Sequence, residues 1–264
     1  MLRLKICVAL VLTCVCAFAQ TPSVTEGGIV DAASFRGGGV TAGSLISIFG
    51  SELAAALQQA SSIPLSTSLG GVSVTVNSVP APLLFVAAGQ INAQLPWNVL
   101  GSGTTGTGTV VVTRGGVSST PRTVPIAPFS PGIFALSGGL AVAVNADDGS
   151  LAQRTGAVEG VNCRPARIGG AIILYANGLG AVDGAVPNGA ASGADLRRTT
   201  TAPTVLIGGR EGQVLFSGLA PQFVGVNQLN VVIPEGVAAG NSVPIQIRIG
   251  GVTSAEGLII AVGN

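Results

Sequence analysis

The chain has 264 residues, no His, 12 Lys and Arg against 11 Asp and Glu, and only 9% charged residues, which leaves no basic surface for nucleic acid and no imidazole for acid–base or metal chemistry. A content of 47% hydrophobic residues rules out a disordered chain, and 40 Gly point to many tight turns between short strands rather than to helices.

The N-terminus reads as an export signal. Arg3 and Lys5 precede an apolar run over residues 6–18, and Ala17-Phe18-Ala19 places small residues where signal peptidase needs them, so cleavage is expected after Ala19. The run is too short to span a bilayer, and no second long apolar stretch follows, so no membrane span is expected. Cys14 and Cys16 lack the Leu-small-small approach of a lipid-attachment site. Removal of residues 1–19 takes away the only Lys, the only Met and three of the four Cys, leaving ten Arg against 11 acids and Cys163 alone. No internal disulfide is then available, so stability has to come from burial.

Downstream, strand signals dominate. Val72-Ser73-Val74-Thr75-Val76 and Ile245-Gln246-Ile247-Arg248-Ile249 alternate apolar and polar residues. Residues 45–49, 110–112, 172–175, 231–233 and 258–262 are short, β-rich and apolar on both faces, as in buried strands. Gly70-Gly71, Gly115-Gly116, Gly208-Gly209 and Gly250-Gly251 supply hairpin turns. Residues 52–60, with Ser51 as N-cap, form the one segment of helical composition.

The order of these features repeats. Gly43-Ser44-Leu45-Ile46-Ser47-Ile48 matches Gly170-Ala171-Ile172-Ile173-Leu174-Tyr175, and Leu84-Phe85 matches Leu215-Phe216. Gln90-Ile91-Asn92 matches Gln228-Leu229-Asn230, Gly115-Gly116-Val117-Ser118-Ser119 matches Gly250-Gly251-Val252-Thr253-Ser254, and Val30-Asp31-Ala32 matches Val144-Asn145-Ala146. A duplicated domain follows: an all-β chain of two tandem immunoglobulin-like sandwiches of about seven strands each, over residues 28–127 and 142–264, with residues 128–141 as a stiff linker around Pro128-Phe129-Ser130-Pro131-Gly132. The Cys-Trp-Cys core of antibody domains is missing from the sequence.

Gly28-Ile29-Val30-Asp31-Ala32-Ala33-Ser34-Phe35, Gly89-Gln90-Ile91-Asn92-Ala93-Gln94-Leu95-Pro96, Ser130-Pro131-Gly132-Ile133-Phe134 and Leu174-Tyr175-Ala176-Asn177-Gly178-Leu179-Gly180 together resemble the uncharacterised C-terminal domain family of Solibacter-type acidobacterial extracellular proteins. Each half also resembles an IPT/TIG module in its Gly-Ser-Leu-Ile-Ser-Ile-Phe-Gly and Val-Pro-Ala-Pro stretches. The resemblance covers residues 28–263 and implies an extracellular compartment and this fold. It implies no activity and no catalytic residues.

Sites are sparse. Gly101-Ser102-Gly103-Thr104-Thr105-Gly106 has the letters of a dinucleotide-binding loop, but a strand follows where a helix is required, so a plain loop is expected. Asn145-Ala146-Asp147-Asp148-Gly149-Ser150 lacks EF-hand spacing and reads as a hairpin turn. Ser and Thr nucleophiles have no His or Lys to activate them in the mature chain, and no Gly-x-Ser-x-Gly elbow occurs. No cofactor is implied. Three functional readings stand in order: a secreted, non-catalytic structural or adhesion-type module; an extracellular polysaccharide-binding module; and, distantly, a hydrolase using a carboxylate pair. The partner is then an unknown protein or polysaccharide at the cell surface. Gln90, Asn92 and Gln94 share one strand face, and Gln228 and Asn230 repeat two of them, either as sugar-reading amides or as scaffold. Trp97 is expected in core or interdomain packing. Cys163, flanked by Asn162, Arg164 and Pro165, is expected in an accessible loop with nearby guanidinium groups favouring its thiolate, allowing a minor disulfide-linked dimer.

Overall fold

The structure is a computed structural model that describes residues 20–263. The expected signal segment, 1–19, lies outside the described residues. The first half contributes seven principal strands: β1 (Ser23–Asp31), β2 (Leu45–Ser51), β3 (Val72–Val76), β4 (Leu83–Val86), β5 (Gln90–Gln94), β6 (Gly106–Arg114) and β7 (Arg122–Ile126). They pair antiparallel in the orders β1-β2-β5-β4 and β3-β6-β7. These are the A-B-E-D and C-F-G sheets of a constant-type immunoglobulin sandwich.

The second half repeats the plan with β8 (Ala143–Asn145), β9 (Ala171–Asn177), β10 (Thr204–Ile207), β11 (Val214–Leu219), β12 (Asn227–Val232), β13 (Gly240–Ile249) and β14 (Ile259–Gly263). Its orders are β8-β9-β12-β11 and β10-β13-β14, so each strand answers to the one seven before it. The fold is therefore all-β, with two immunoglobulin-like sandwiches in tandem, and no α-helix occurs among the described residues.

Each sandwich closes on its own apolar cluster. Ile46, Ile48, Val74, Ile91, Val110 and Val112 are buried in the first, and Ile172, Leu174, Val205, Leu229, Val231 and Ile247 in the second. Every such side chain removed from water contributes about 1.5–3 kcal/mol, and no disulfide adds to this among the described residues, where Cys163 is a free thiol.

Local devices recur at matching positions. A bulge interrupts β4 at Leu84 and β11 at Leu215. Ser119 Oγ accepts the Val112 N–H at 3.1 Å, and Ser254 Oγ accepts the Ile247 N–H at 2.9 Å, each closing the irregular chain after a Gly-Gly hairpin.

Three details depart from the sequence reading. First, the B strands align one residue away from the expected match. Asp31 faces Ile46 as Asn145 faces Ile172, Ser47 faces Asn92 as Ile173 faces Asn230, and Phe49 faces Gln90 as Tyr175 faces Gln228. Runs that are apolar on both faces conceal such a slip, although it exchanges the buried and outer sides. Second, residues 52–60 are not helical. Glu52 takes a left-handed φ of 56°, and Arg114 Nη1 binds both its carbonyl and its carboxylate, so the first turn cannot start; Gln58–Gln59 instead lies along the edge of β4. Third, residues 128–141, expected as a linker, join the second sandwich. Gly132–Ile133 pairs with β9, Leu140 pairs with Ile259, and Ile133 and Ala141 are buried in the second core.

Candidate functional site

The side chains with the most structural consequence lie on the seam between the sandwiches. Asn177, at the end of β9, reaches into the first half. Its Oδ1 accepts the Leu45 N–H at 3.0 Å, while its Nδ2 donates to the Leu45 carbonyl at 2.7 Å and to Asp31 Oδ2. The amide thus serves Leu45 as the peptide group of an adjoining strand would. Asp31 Oδ1 accepts from the Ala33 and Ser34 N–H groups and from the Ser34 hydroxyl. Asp31 and Asn177 are 1% and 0% exposed, so this chemistry is sealed from water. Burial pushes the Asp31 carboxyl above its ordinary range, while the N–H and hydroxyl of Ser34, the Asn177 amide and the Ala33 N–H pull it down.

A clasp reinforces the seam. The long connection from β9 to β10 carries Asn188 and Gly189 across to the first half. Asn188 Oδ1 accepts the Trp97 N–H at 2.8 Å, its Nδ2 donates to Asn98 Oδ1 at 2.9 Å, the Gly189 carbonyl accepts the Leu65 N–H, and the Gly189 N–H donates to Gln94 Oε1. Ser130 ties down the crossover by donating its hydroxyl to the Gly39 carbonyl and its N–H to the Gly178 carbonyl.

The five amides separate into two groups. Gln94 is fully buried in the seam: Nε2 donates to the Gly43 carbonyl at 3.1 Å, and Oε1 accepts the Gly189 N–H at 2.6 Å. Gln90 and Asn92 are half-buried on the outer face of the A-B-E-D sheet, with Gln90 Nε2 donating to Asn92 Oδ1 at 2.8 Å and Ser47 Oγ to the same oxygen at 3.0 Å. Gln228 and Asn230 reproduce this contact at 2.9 Å on the matching face of the second sandwich. Asn92→Ala is expected to cost about 1 kcal/mol, because Asn92 accepts two donors, and Asn230→Ala less, because it accepts one. Urea midpoints measure both; an equal or reversed order would contradict the hydrogen-bond assignment.

The same outer faces carry rings. Phe49 lies opposite Gln90 and Phe85 opposite Asn92; Tyr175 lies opposite Gln228 and Phe216 opposite Asn230. Between the two faces a cleft of about 450 Å³ opens at the junction, walled by Leu45, Ile63, Leu65, Leu84 and Phe223, with Ser61, Ser62 and Gln222 at its polar positions. No residue lining it is charged. Junction clefts of this size and character are where ligands most often bind.

The remaining candidates are spoken for. Trp97 lies at the seam, its ring against Gly43. Asp147 and Asp148 both face Arg164, at 2.7 and 2.8 Å, and the guanidinium and Ser150 hold the Asp148 carboxyl well below the usual carboxylate range. Among the described residues no group of three or more His, Cys, Asp or Glu is placed to hold a metal ion.

Cys163 is a correction. It is 5% exposed rather than in an open loop, because its segment bridges to Leu151, whose N–H donates to Asn162 and whose carbonyl accepts the Arg164 N–H. Arg164 is turned to the aspartates. A disulfide to a second copy therefore requires this segment to open first. Thiol-reagent labelling is expected to be slow in the native protein and immediate in denaturant; fast native labelling would contradict the burial.

The sequence reading missed Asp31, Asn177 and Asn188 as functional positions. An Asn at the end of the apolar run 171–176 was the available signal, since a buried amide must find partners.

No family model matches the chain. No curated protein matches it. Among solved structures it is similar to the I9–I11 tandem of titin, at 11% identity and a TM-score of 0.23, covering 92% of this chain and 67% of that one. It is also similar to domains 5–6 of the S-layer protein SbsC, at 10% identity and 0.26, covering 92% and 98%, and to the BSP domain of a biofilm associated protein, at 12% and 0.26, covering 92% and 29%. Scores this low carry no inference about activity or partner. The strand orders stand on their own.

Proposed function

We propose that the chain is an exported, non-catalytic structural or adhesion-type module that works at the cell surface as one stiff two-sandwich body. The observation that carries this reading is the seam: Asn177, Asp31 and Leu45 share a water-free hydrogen-bond network, and the clasp at Asn188 and Gly189 adds a second attachment. A hinge between catalytic domains would be left loose, whereas a surface spacer or adhesive element gains from a fixed angle. The export pattern of residues 1–19 and the absence of His from the sequence support the same reading.

The test is expression of the full chain in a bacterium with a C-terminal epitope. The exported fraction is expected to contain a chain beginning at Gln20, with the epitope accessible on intact cells or in the medium. An uncleaved chain confined to the cytoplasm would overturn the proposal, as would release of reducing ends from a polysaccharide by the purified protein.

A further inference from the structure

The geometry points to a binding face for a neutral, linear polysaccharide, formed by the two outer aromatic–amide surfaces and the junction cleft between them. It rests on the surface-module reading only for where the ligand is met, not for the binding itself.

Each surface leaves the same pair of polar atoms unused. The Gln90–Asn92 and Gln228–Asn230 bonds consume one amide N–H and one amide oxygen. That leaves Gln Oε1 as an acceptor and Asn Nδ2 as a donor, neither with a protein partner among the described residues. An acceptor beside a donor suits neighbouring hydroxyls on a sugar ring, which offer both. Directly opposite residues in an antiparallel sheet share a face, so Phe49 and Phe85 flank the first amide pair and Tyr175 flanks the second. Rings in this position offer apolar area to the C–H face of a sugar. The second surface is narrower, because Arg198 covers Phe216 at 5.0 Å from the ring centre.

Two further rings stand free. Phe35 is 59% exposed and sits 6.2 Å from Phe49. It is held at φ 53°, a left-handed conformation that a bulky residue adopts only under constraint. The constraint is Asp31, whose carbonyl accepts the Phe35 N–H at 2.9 Å and whose carboxylate fixes Ser34. Phe223 is 52% exposed, meets Tyr175 edge-on at 6.1 Å and walls the cleft. Leu45 and Leu84 connect the cleft to the first surface, and Phe223 connects it to the second.

The chemistry selects the occupant. An anionic glycan would call for Arg or Lys, and neither lines the cleft. A peptide strand would add to a sheet edge through backbone groups, whereas this is a face of side chains. An apolar protein surface would bury the free amide atoms without partners, at a cost for each. A polyol with apolar ring faces satisfies both kinds of group. Repetition of the surface on one stiff body suits a chain long enough to touch both.

The test is affinity electrophoresis of the intact mature protein through gels containing a soluble mixed-linkage β-glucan, a xylan or a galactomannan, with dextran sulfate as the anionic comparison. At least one neutral polymer is expected to slow migration. Phe223→Ala should weaken that binding about tenfold or more, as expected for an exposed anchor. Asn92→Ala and Asn230→Ala together should weaken it further, while Phe223→Ala keeps the wild-type melting temperature. The inference is overturned if none of the neutral polymers slows the protein, if only dextran sulfate does, or if Phe223→Ala binds like wild type. Sedimentation showing self-association that Phe223→Ala abolishes would also overturn it, by assigning the face to a second copy. Failure of the surface-module reading shows separately, in the N-terminus and location of the expressed chain.

Discussion

Asn177→Ala is expected to lower the unfolding free energy by about 3–5 kcal/mol and to split one thermal transition into two. The substitution removes three hydrogen bonds and leaves the Leu45 N–H, the Leu45 carbonyl and the Asp31 carboxylate without their partner at a site where Asn177 is 0% exposed. Each sandwich retains its own core, so each should melt by itself once uncoupled. Calorimetry decides it: one transition at the wild-type temperature would mean that the seam does not bind the halves together.

The deficit should also depend on pH. Burial raises the Asp31 carboxyl above its ordinary 3.8, so folding favours its protonated form. The cost of burying the charge is present above the raised value and fades as pH falls through it towards 3.8. The Asn177 amide is one of the groups that lowers this value, so removing it raises it further. The stability gap between Asn177→Ala and wild type is therefore widest at neutral pH and narrows in acid. A gap independent of pH would contradict the Asn177–Asp31 contact.

Gly178→Ala should cost about 3 kcal/mol or more, through overpacking added to backbone strain. Gly178 has φ 72°, and a β-carbon there would run into the carbonyl of Ser130, which belongs to the crossover. Neither backbone can yield without opening the Ser130–Gly178 bond. Gly71 provides the comparison, with a similar φ of 74° but open space around a β-carbon. Gly71→Ala should cost only the conformational penalty, about 1–2 kcal/mol. Denaturant midpoints for the two variants separate strain from collision, and equal losses would place the seam elsewhere.

What could be read from the chain and what could not divides along physical lines. The alternation in 72–76 and 245–249, the Gly-Gly hairpins and the recurrence of Gln-x-Asn are local signals, and they led to seven strands in each of two copies. The register of 45–49 against 171–175 was hidden because both runs are apolar on both faces. Residues 52–60 had helical composition, but a helix of two turns is marginal without packing, and the Arg114–Glu52 contact from across the sandwich decides the backbone there. Cys163 has turn-forming neighbours, and its burial comes from Leu151, twelve residues away. The outer amide pairs were visible as a repeated pattern. The rings beside them were not, because Phe49, Phe85, Tyr175 and Phe223 come together only through strand pairing and the seam.

The seam is head-to-tail: the second copy supplies the donor amide and the first supplies the acceptor carboxylate. Such heterologous contacts can in principle continue from unit to unit into a filament. The two copies have diverged where continuation would need them alike. By strand register the first copy carries Ser51 where the second has Asn177, and Ser51 is exposed and too short to repeat the amide's bridging. The second copy carries Asn145 where the first has Asp31, and Asn145 Nδ2 is committed to Ser150 and Arg164 of its own fold. Each copy keeps one half of the lock, so the contact joins a first sandwich to a second and cannot recruit a third through the same chemistry.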